Sequence, residues 1–334
     1  MRYIFLLIFL FLFCASMTVS AEQTSPVSIN LIYPDNHIES TTGYFDLNVE
    51  PGEQQEVHVE LINNRDEELT VIIEGADAYT DPNGGIMYGQ NLESFNSSLL
   101  QDAYEMSLYI DVPGEIVIEP LARKTVPIKV DVPDLIGQTV LGGLRFVVPS
   151  QREDTEETGD DEARFIIQTD LVYAIATQLN LPEQVESNFT FNGAGFLSST
   201  GEVYIGMQND AHKIQDLISG KYSVLNEEGI ELFSGTFEPF NMAPKSSIHY
   251  PISWDYESLE EGTYTLNVEA KIDEQGDVSF SDSFTIGSQE IDEHIENNQS
   301  VTVQHTQGMP VWGWILILIL AGGIFYLLGK RRRG

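Results

Sequence analysis

"YFDLNVEPGEQQEVHVELINN" occupies residues 44–64, and its reading decides the fold. Phe45, Leu47 and Val49 alternate with polar neighbours, a Pro-Gly pair follows, and Val57, Val59 and Leu61 alternate again. A period of two sends successive side chains to opposite faces, so each run is a strand that buries one face. With a turn signal between them, the two runs predict the first hairpin of a β-sandwich. Nothing in the stretch is an obvious catalytic group.

The same pattern spreads outward. Alternation recurs at 27–32, 69–75, 105–110, 115–118, 124–130, 140–148 and 163–180, punctuated by "NNRDEE", "DPNGG" and "DVPG". Short strands with turn signals between them argue for an antiparallel sandwich. Residues 149–162, "PSQREDTEETGDDE", hold seven acids and almost nothing apolar, which reads as a solvated hairpin tip. "NLPEQ" at 180–184 reads as a hinge. A second strand set follows at 185–191, 202–209, 217–226, 230–237, 247–254, 262–272 and 277–286, with "NGAG" and "NEEG" as turns. About a hundred residues suffice for a second core.

The ends set the location. An apolar run from Ile4 to Phe13 follows Arg2, and small residues close the segment at Ala21, which predicts a cleaved signal peptide over 1–21. Residues 311–328 carry no charge, which is just long enough to span a bilayer. Trp312, Trp314 and Tyr326 stand where interfacial aromatics stand, and Lys330, Arg331, Arg332 and Arg333 predict a cytoplasmic tail over 329–334. The expected topology is a single-pass membrane protein with an extracellular N-terminal portion. The polar residues 289–309 read as a flexible stalk. Cys14 is the only cysteine and falls within the signal, so no disulfide is expected outside; this fits a Gram-positive surface protein.

Five of the 16 basic residues are Arg2 and the four tail cations, leaving eleven against 52 acids, or −41 for the exposed portion. Such a surface excludes nucleic acid as a partner and electrostatic docking on anionic lipid. It keeps a protein soluble; divalent cations screening it against an anionic wall are the sharper alternative.

No enzyme is expected, and no cofactor. The six histidines have no metal-ligand spacing, and no nucleophile elbow, zincin or phosphate-cradling motif occurs. "AYTDPNGGIMYG" at 78–89 is the most suggestive loop. Asp77, Asp81 and Asn83 could offer calcium ligands beside a Gly-Gly turn. The preferred reading is a plain turn with Asn83 and Gly84 at positive φ. Tyr79 and Tyr88 flank it, and flat rings beside Asp81 and Asn83 make these four the candidates for holding sugar or peptide. "NMAPKSSIHYPISW" at 241–254 opens a strand whose residues Ser247, Ile248, Tyr250 and Ile252 are the candidates for a protein partner, by addition of a strand to a sheet edge.

These stretches, together with "NLIYPDNH" (30–37), "LGGLRFVV" (141–148) and "LEEGTYTLNVEA" (259–270), give the chain its resemblance to the WxL-interacting proteins of Gram-positive bacteria. It departs from the family pattern at His37, where Gln is common, and at Lys245, where Asn is common. The resemblance implies an all-β chain of two tandem immunoglobulin-like β-sandwich domains, 27–181 and 183–288, plus the single C-terminal transmembrane helix. It implies that the first domain contacts peptidoglycan and the second holds a WxL-domain surface protein, making the chain a tethered adaptor. The alternatives are a stand-alone adhesin or carbohydrate-binding surface protein, and a calcium-dependent spacer.

Overall fold

The computed structural model describes residues 25–299 apart from 136, 151–168 and 257. The expected signal peptide, membrane segment and basic tail, and most of the acidic loop, lie outside the described residues. Among the described residues, no helix is long and apolar enough to cross a membrane.

The first domain is two facing sheets. One runs β1 (Val27–Ile32), β3 (Gln54–Asn63), β9 (Arg123–Asp131), β7 (Ile110–Asp111). The other runs β2 (Phe45–Asn48), β11 (Leu171–Asn180), β10 (Thr139–Val148), β4 (Leu69–Thr80), β5 (Ile86–Gly89), with β8 (Glu115–Ile118) also on β4. The stretch at 44–64 is therefore not a hairpin. Its turn forms, with the Glu53 N–H donating to the Glu50 carbonyl over 3.2 Å, but β2 and β3 belong to opposite sheets. Phe45 and Leu47 meet Val57, Val59 and Leu61 across one core. Alternation dictated which faces are buried and was silent on which strands pair. Nor is the fold wholly antiparallel, because β2 pairs with β11 in parallel. Residues 105–110, expected as strand, contain a 3₁₀ turn over Met106–Tyr109 that tucks Met106 into the core.

The second domain pairs β15 (Glu231–Met242), β14 (Gln215–Leu225), β17 (Gly262–Ile272) and β18 (Gly276–Ile286) in one sheet. The facing sheet holds β12 (Phe189–Leu197), β13 (Glu202–Asn209) and β16 (Ser246–Ser253), and its fourth strand is β6 (Ser97–Leu99). "NGAG" is not a turn: it lies within β12, at a bulge between Phe191 and Gly193. The expected flexible stalk begins instead as a helix, α1 (Ser288–Gln299), whose Ile291 packs on the second core. The Glu290 carboxylate accepts from the Gly287 N–H over 3.2 Å, satisfying a donor the first turn leaves open.

β6 comes from the first domain's share of the sequence, so the chain crosses between the domains more than once. The burial pattern of β4 records this. Leu69, Val71 and Ile73 alternate with half-buried neighbours, but from Gly75 to Thr80 every residue is buried, because the second domain covers the other face. Ala78 and Leu141 meet Ala243, with Tyr88 and Ile214 alongside. Thr80 Oγ1 lies 2.6 Å from Ser246 Oγ and accepts from the Ala243 N–H over 2.9 Å. Residues 180–184 are no free hinge either: Leu181 is buried, and its N–H donates to the Gln138 carbonyl.

Candidate functional site

The "NLIYPDNH" segment leaves β1 and folds over the end of the first domain. Tyr33 is 38% exposed and stacks on His37, with centroids 4.0 Å apart and planes at 12°. Its edge rests on buried Phe45 at 6.0 Å, and the Gly43 N–H donates to its hydroxyl over 2.8 Å. The His37 ring is locked. Nδ1 accepts from the Asp46 N–H at 3.2 Å, so Nε2 donates to the Thr41 carbonyl at 2.9 Å. A glutamine carries the same acceptor–donor pair on one side chain, so His37 replaces it without changing that bonding logic.

Amides surround the stack. Asn36 Nδ2 donates to the Asn48 carbonyl at 2.8 Å and to Gln55 Oε1 at 3.0 Å. Asp46 accepts from Asn180 Nδ2 at 2.6 Å and from Thr41 Oγ1 at 2.9 Å, and Gln178 donates on to Asn180. A cleft of about 260 Å³ lies beside them, lined by Asn48, Glu50, Glu53, Asn180 and Pro182 among others. A partly exposed ring held flat suits a sugar or acetamido ligand: the ring takes an apolar sugar face, while the amides and carboxylate behind it, bonded to one another, hold the loop in shape.

The candidates for holding sugar or peptide, Tyr79, Asp81, Asn83 and Tyr88, lie at the end of β4, in the turn after it and on β5, beside the junction between domains. Tyr79 is buried; burial first, then the negative charges of Asp77, Glu93 and Glu105, push its hydroxyl up to about 12. Tyr88 packs into the junction, and burial pushes it to about 12 as well. Asp81 and Asn83 build the turn: Asp81 Oδ1 accepts from the Asn83 N–H at 2.8 Å, and the Gly84 N–H returns to the Asp81 carbonyl. Positive φ falls at Gly84 and Gly85, not at Asn83. At Gly84 a Cβ would stand 2.7 Å from Phe240 Cγ, so the turn tip docks on the second domain and only glycine fits. Asp77 is also committed, taking the Ser107 N–H at 2.8 Å and its hydroxyl at 3.0 Å. Among the described residues, no group of three or more His, Cys, Asp or Glu could hold a metal ion.

The partner candidates sit on β16, a strand with less free edge than the sequence suggests. Ser247 pairs with Gln208 on one side and Ser98 on the other, and Ile248 with Met207 and Ser97. Ile248 and Ile252 are core. Tyr250 stacks on Phe240 at 5.7 Å. The stretch beyond His249 lacks a β6 partner, and Pro251 there has no N–H to offer.

Lys245 explains itself at the junction. Its ammonium lies 2.6 Å from Asp102 Oδ2 and 2.9 Å from Asp210 Oδ1, tying the β6 segment to the second domain. Burial alone would lower its pKa, but these two carboxylates outweigh burial and raise it.

Family models match both halves of the chain: "WxL Interacting Protein, peptidoglycan binding domain" over residues 27–147 and "WxL Interacting Protein, host binding domain" over residues 162–302. The second match begins upstream of β11, a strand that pairs within the first domain. Its description names host binding where the sequence had suggested the WxL partner. Comparison with curated proteins returns no match. Among solved structures, the class 5 fimbriae chaperone CfaA is 11% identical, covering 76% of this chain and 99% of its own, at a TM-score of 0.31. The CsuC–CsuE chaperone–adhesin complex of Acinetobacter baumannii is 11% identical over 68% of this chain and 91% of that one, at 0.33. At such scores the likeness carries no argument.

Proposed function

The chain belongs to the WxL-interacting protein family, and we propose that it is a non-enzymatic, membrane-tethered surface adaptor whose first domain grips peptidoglycan through the Tyr33–His37 end. A cell-surface binding role follows from the two matched binding domains. The observation that supports the site is the half-exposed Tyr33–His37 stack ringed by Asn36, Gln55, Asp46 and Asn180. In this reading the second domain faces outward for host binding and for a WxL-domain protein. Strand addition at β16 is confined to the part beyond His249. The uncharged segment 311–328 supplies the tether. Residues 22–305, mixed with insoluble peptidoglycan, should pellet with it and be released by soluble wall fragments. A protein left wholly in the supernatant refutes wall binding.

A further inference from the structure

We propose that the outer face of the β12–β13–β16–β6 sheet is a binding site for a neutral oligosaccharide; this rests on the host-binding reading of the second domain and names its ligand class. Three observations meet there. The first is a flat ring. Tyr204 on β13 pairs with Gly195 on β12, and a Cβ on Gly195 would fall 2.5 Å from the Tyr204 hydroxyl. The ring therefore lies over the strand next door, which only glycine permits. His249, 4.3 Å from Tyr204 and tilted 45° to it, borders the ring on one side. Phe95 closes the platform, 4.5 Å from His249 and edge-on to Tyr204 at 5.9 Å.

The second is exposure held in place. Phe95 is 65% exposed. A phenyl ring left in water is unfavourable, yet its backbone is pinned: the Phe95 carbonyl lies 2.7 Å from His249 Nδ1, and the His249 N–H donates to Asn96 at 3.0 Å. Two amides stand beside the platform joined by a long bond, Asn192 Nδ2 lying 3.4 Å from Gln208 Oε1 and equally far from Ser247 Oγ, which itself donates to the Met207 carbonyl at 3.2 Å. They are free to exchange those long bonds for ligand hydroxyls.

The third is charge. In a chain with 52 acids, β12, β13 and β16 (9, 8 and 8 residues) carry one acidic side chain, Glu202, and no Lys or Arg. The opposite sheet presents Lys221, Glu231, Glu269, Lys271 and Asp277. A face with one carboxylate and no lysine or arginine on so acidic a molecule suits a neutral glycan and offers no cation to sialic acid or sulfate. Rings that take sugar faces and amides that take hydroxyls complete the match.

The test uses residues 22–305 and three variants: Phe95→Ala and Tyr204→Ala on the face, and Thr236→Ala on the opposite sheet. Each is applied to immobilised neutral mammalian-type oligosaccharides ending in galactose, mannose or N-acetylhexosamine, to their sialylated counterparts, and to neutral polysaccharide purified from Gram-positive walls. Circular dichroism confirms folding; Phe95 is exposed, so that variant should melt as the parent does. The parent and Thr236→Ala should bind a neutral arm, and both face variants should lose tenfold or more. The arm that binds distinguishes host from wall sugar. Binding of neutral glycans by no protein, or equally by all, overturns the proposal. Adhesion to epithelial cells is read in parallel. Adhesion that survives enzymatic removal of surface glycans, with no neutral arm bound, overturns the sugar site while leaving host binding intact, through a protein contact. Neutral wall sugar bound without adhesion sustains the face and refutes the host reading.

Discussion

Two segments, residues 33–46 and residues 77–103, hold opposite places in sequence and in structure. The second is conspicuous on paper, with acids, amides, paired glycines and tyrosines within a dozen residues. In three dimensions those groups are spent on each other and on the second domain: Asp77 on Ser107, Asp81 on Asn83, Tyr79 on the interior, and β6 on β16. The first loop is plain by comparison, yet it leaves a ring partly in solvent and fixes amides around it. The polar groups of both loops are bonded within the protein, and the contrast teaches that ligand-like chemistry marks a site only when a face of it is left in solvent after folding.

The largest expected difference between the loops lies in stability. Tyr79→Ala empties a buried aromatic position and should cost about 3 kcal/mol or more, seen as an earlier midpoint in urea. Tyr33→Ala, at a half-exposed ring, should cost under about 1 kcal/mol and still abolish co-sedimentation with peptidoglycan. A Tyr33→Ala protein that unfolds, or a Tyr79→Ala protein that stays stable, would erase the distinction.

Thr80→Val comes next. It removes the hydroxyl that serves Ser246 and the Ala243 N–H; Ser246 keeps its bond to the Ala243 carbonyl, but the buried Ala243 N–H is left unpaired at a cost of about 1–3 kcal/mol. The loss should appear as faster proteolysis within 90–103, where β6 detaches, with wall binding unchanged.

Acid should loosen the same junction. The Asp102 carboxyl is held below its usual range first by its hydrogen bond to Lys245, and His212 is lowered first by burial and then by Lys245. A depressed carboxyl stabilises the fold above its unfolded pKa and loses that contribution as pH falls through its folded value. A histidine lowered by folding also takes up its proton more readily when unfolded, so its contribution fades as pH drops below about 6.5. Thermal stability should therefore decline from neutral pH downward, and Asp102→Asn should flatten the acid part of that decline. A pH-independent melting curve from 7 to 4 contradicts it.

The smallest effects belong to the turn. Asp81→Ala should cost about 0.5–1 kcal/mol through loss of the Asx contact and leave peptidoglycan pelleting unchanged. Because the candidate calcium ligands are engaged with protein donors, a chelator should leave the melting temperature unmoved; a rise of several degrees on adding calcium would restore the cation reading.

Most strands were legible because a half-buried strand writes its period into the sequence, as β3, β9 and β17 do. Pairing was not. β2 and β3 read as a hairpin because the pattern names buried faces and says nothing of which sheet owns a strand. β6 is three residues, Ser97–Leu99, with no alternation, and its partner lies about 150 residues away. The helix at Ser288–Gln299 looked like a polar linker because one apolar residue, Ile291, anchors it, although Ile291 and Ile295 four apart, behind a Glu at the third position, were the available signal. The site followed the same rule. "YPDNH" served as a family mark, but its ring and amides gained meaning only when Gln55, Asn180 and Asp46 arrived from other strands.

Hydrogen exchange of residues 22–305, read by mass spectrometry with and without soluble peptidoglycan fragments, compares the two loops in one experiment. The account predicts added protection over 33–48 and none over 78–90, whose turn tip already docks on Phe240 of the second domain. Protection appearing at 78–90 with 33–48 unchanged would contradict it and return the wall site to the loop that the sequence first suggested.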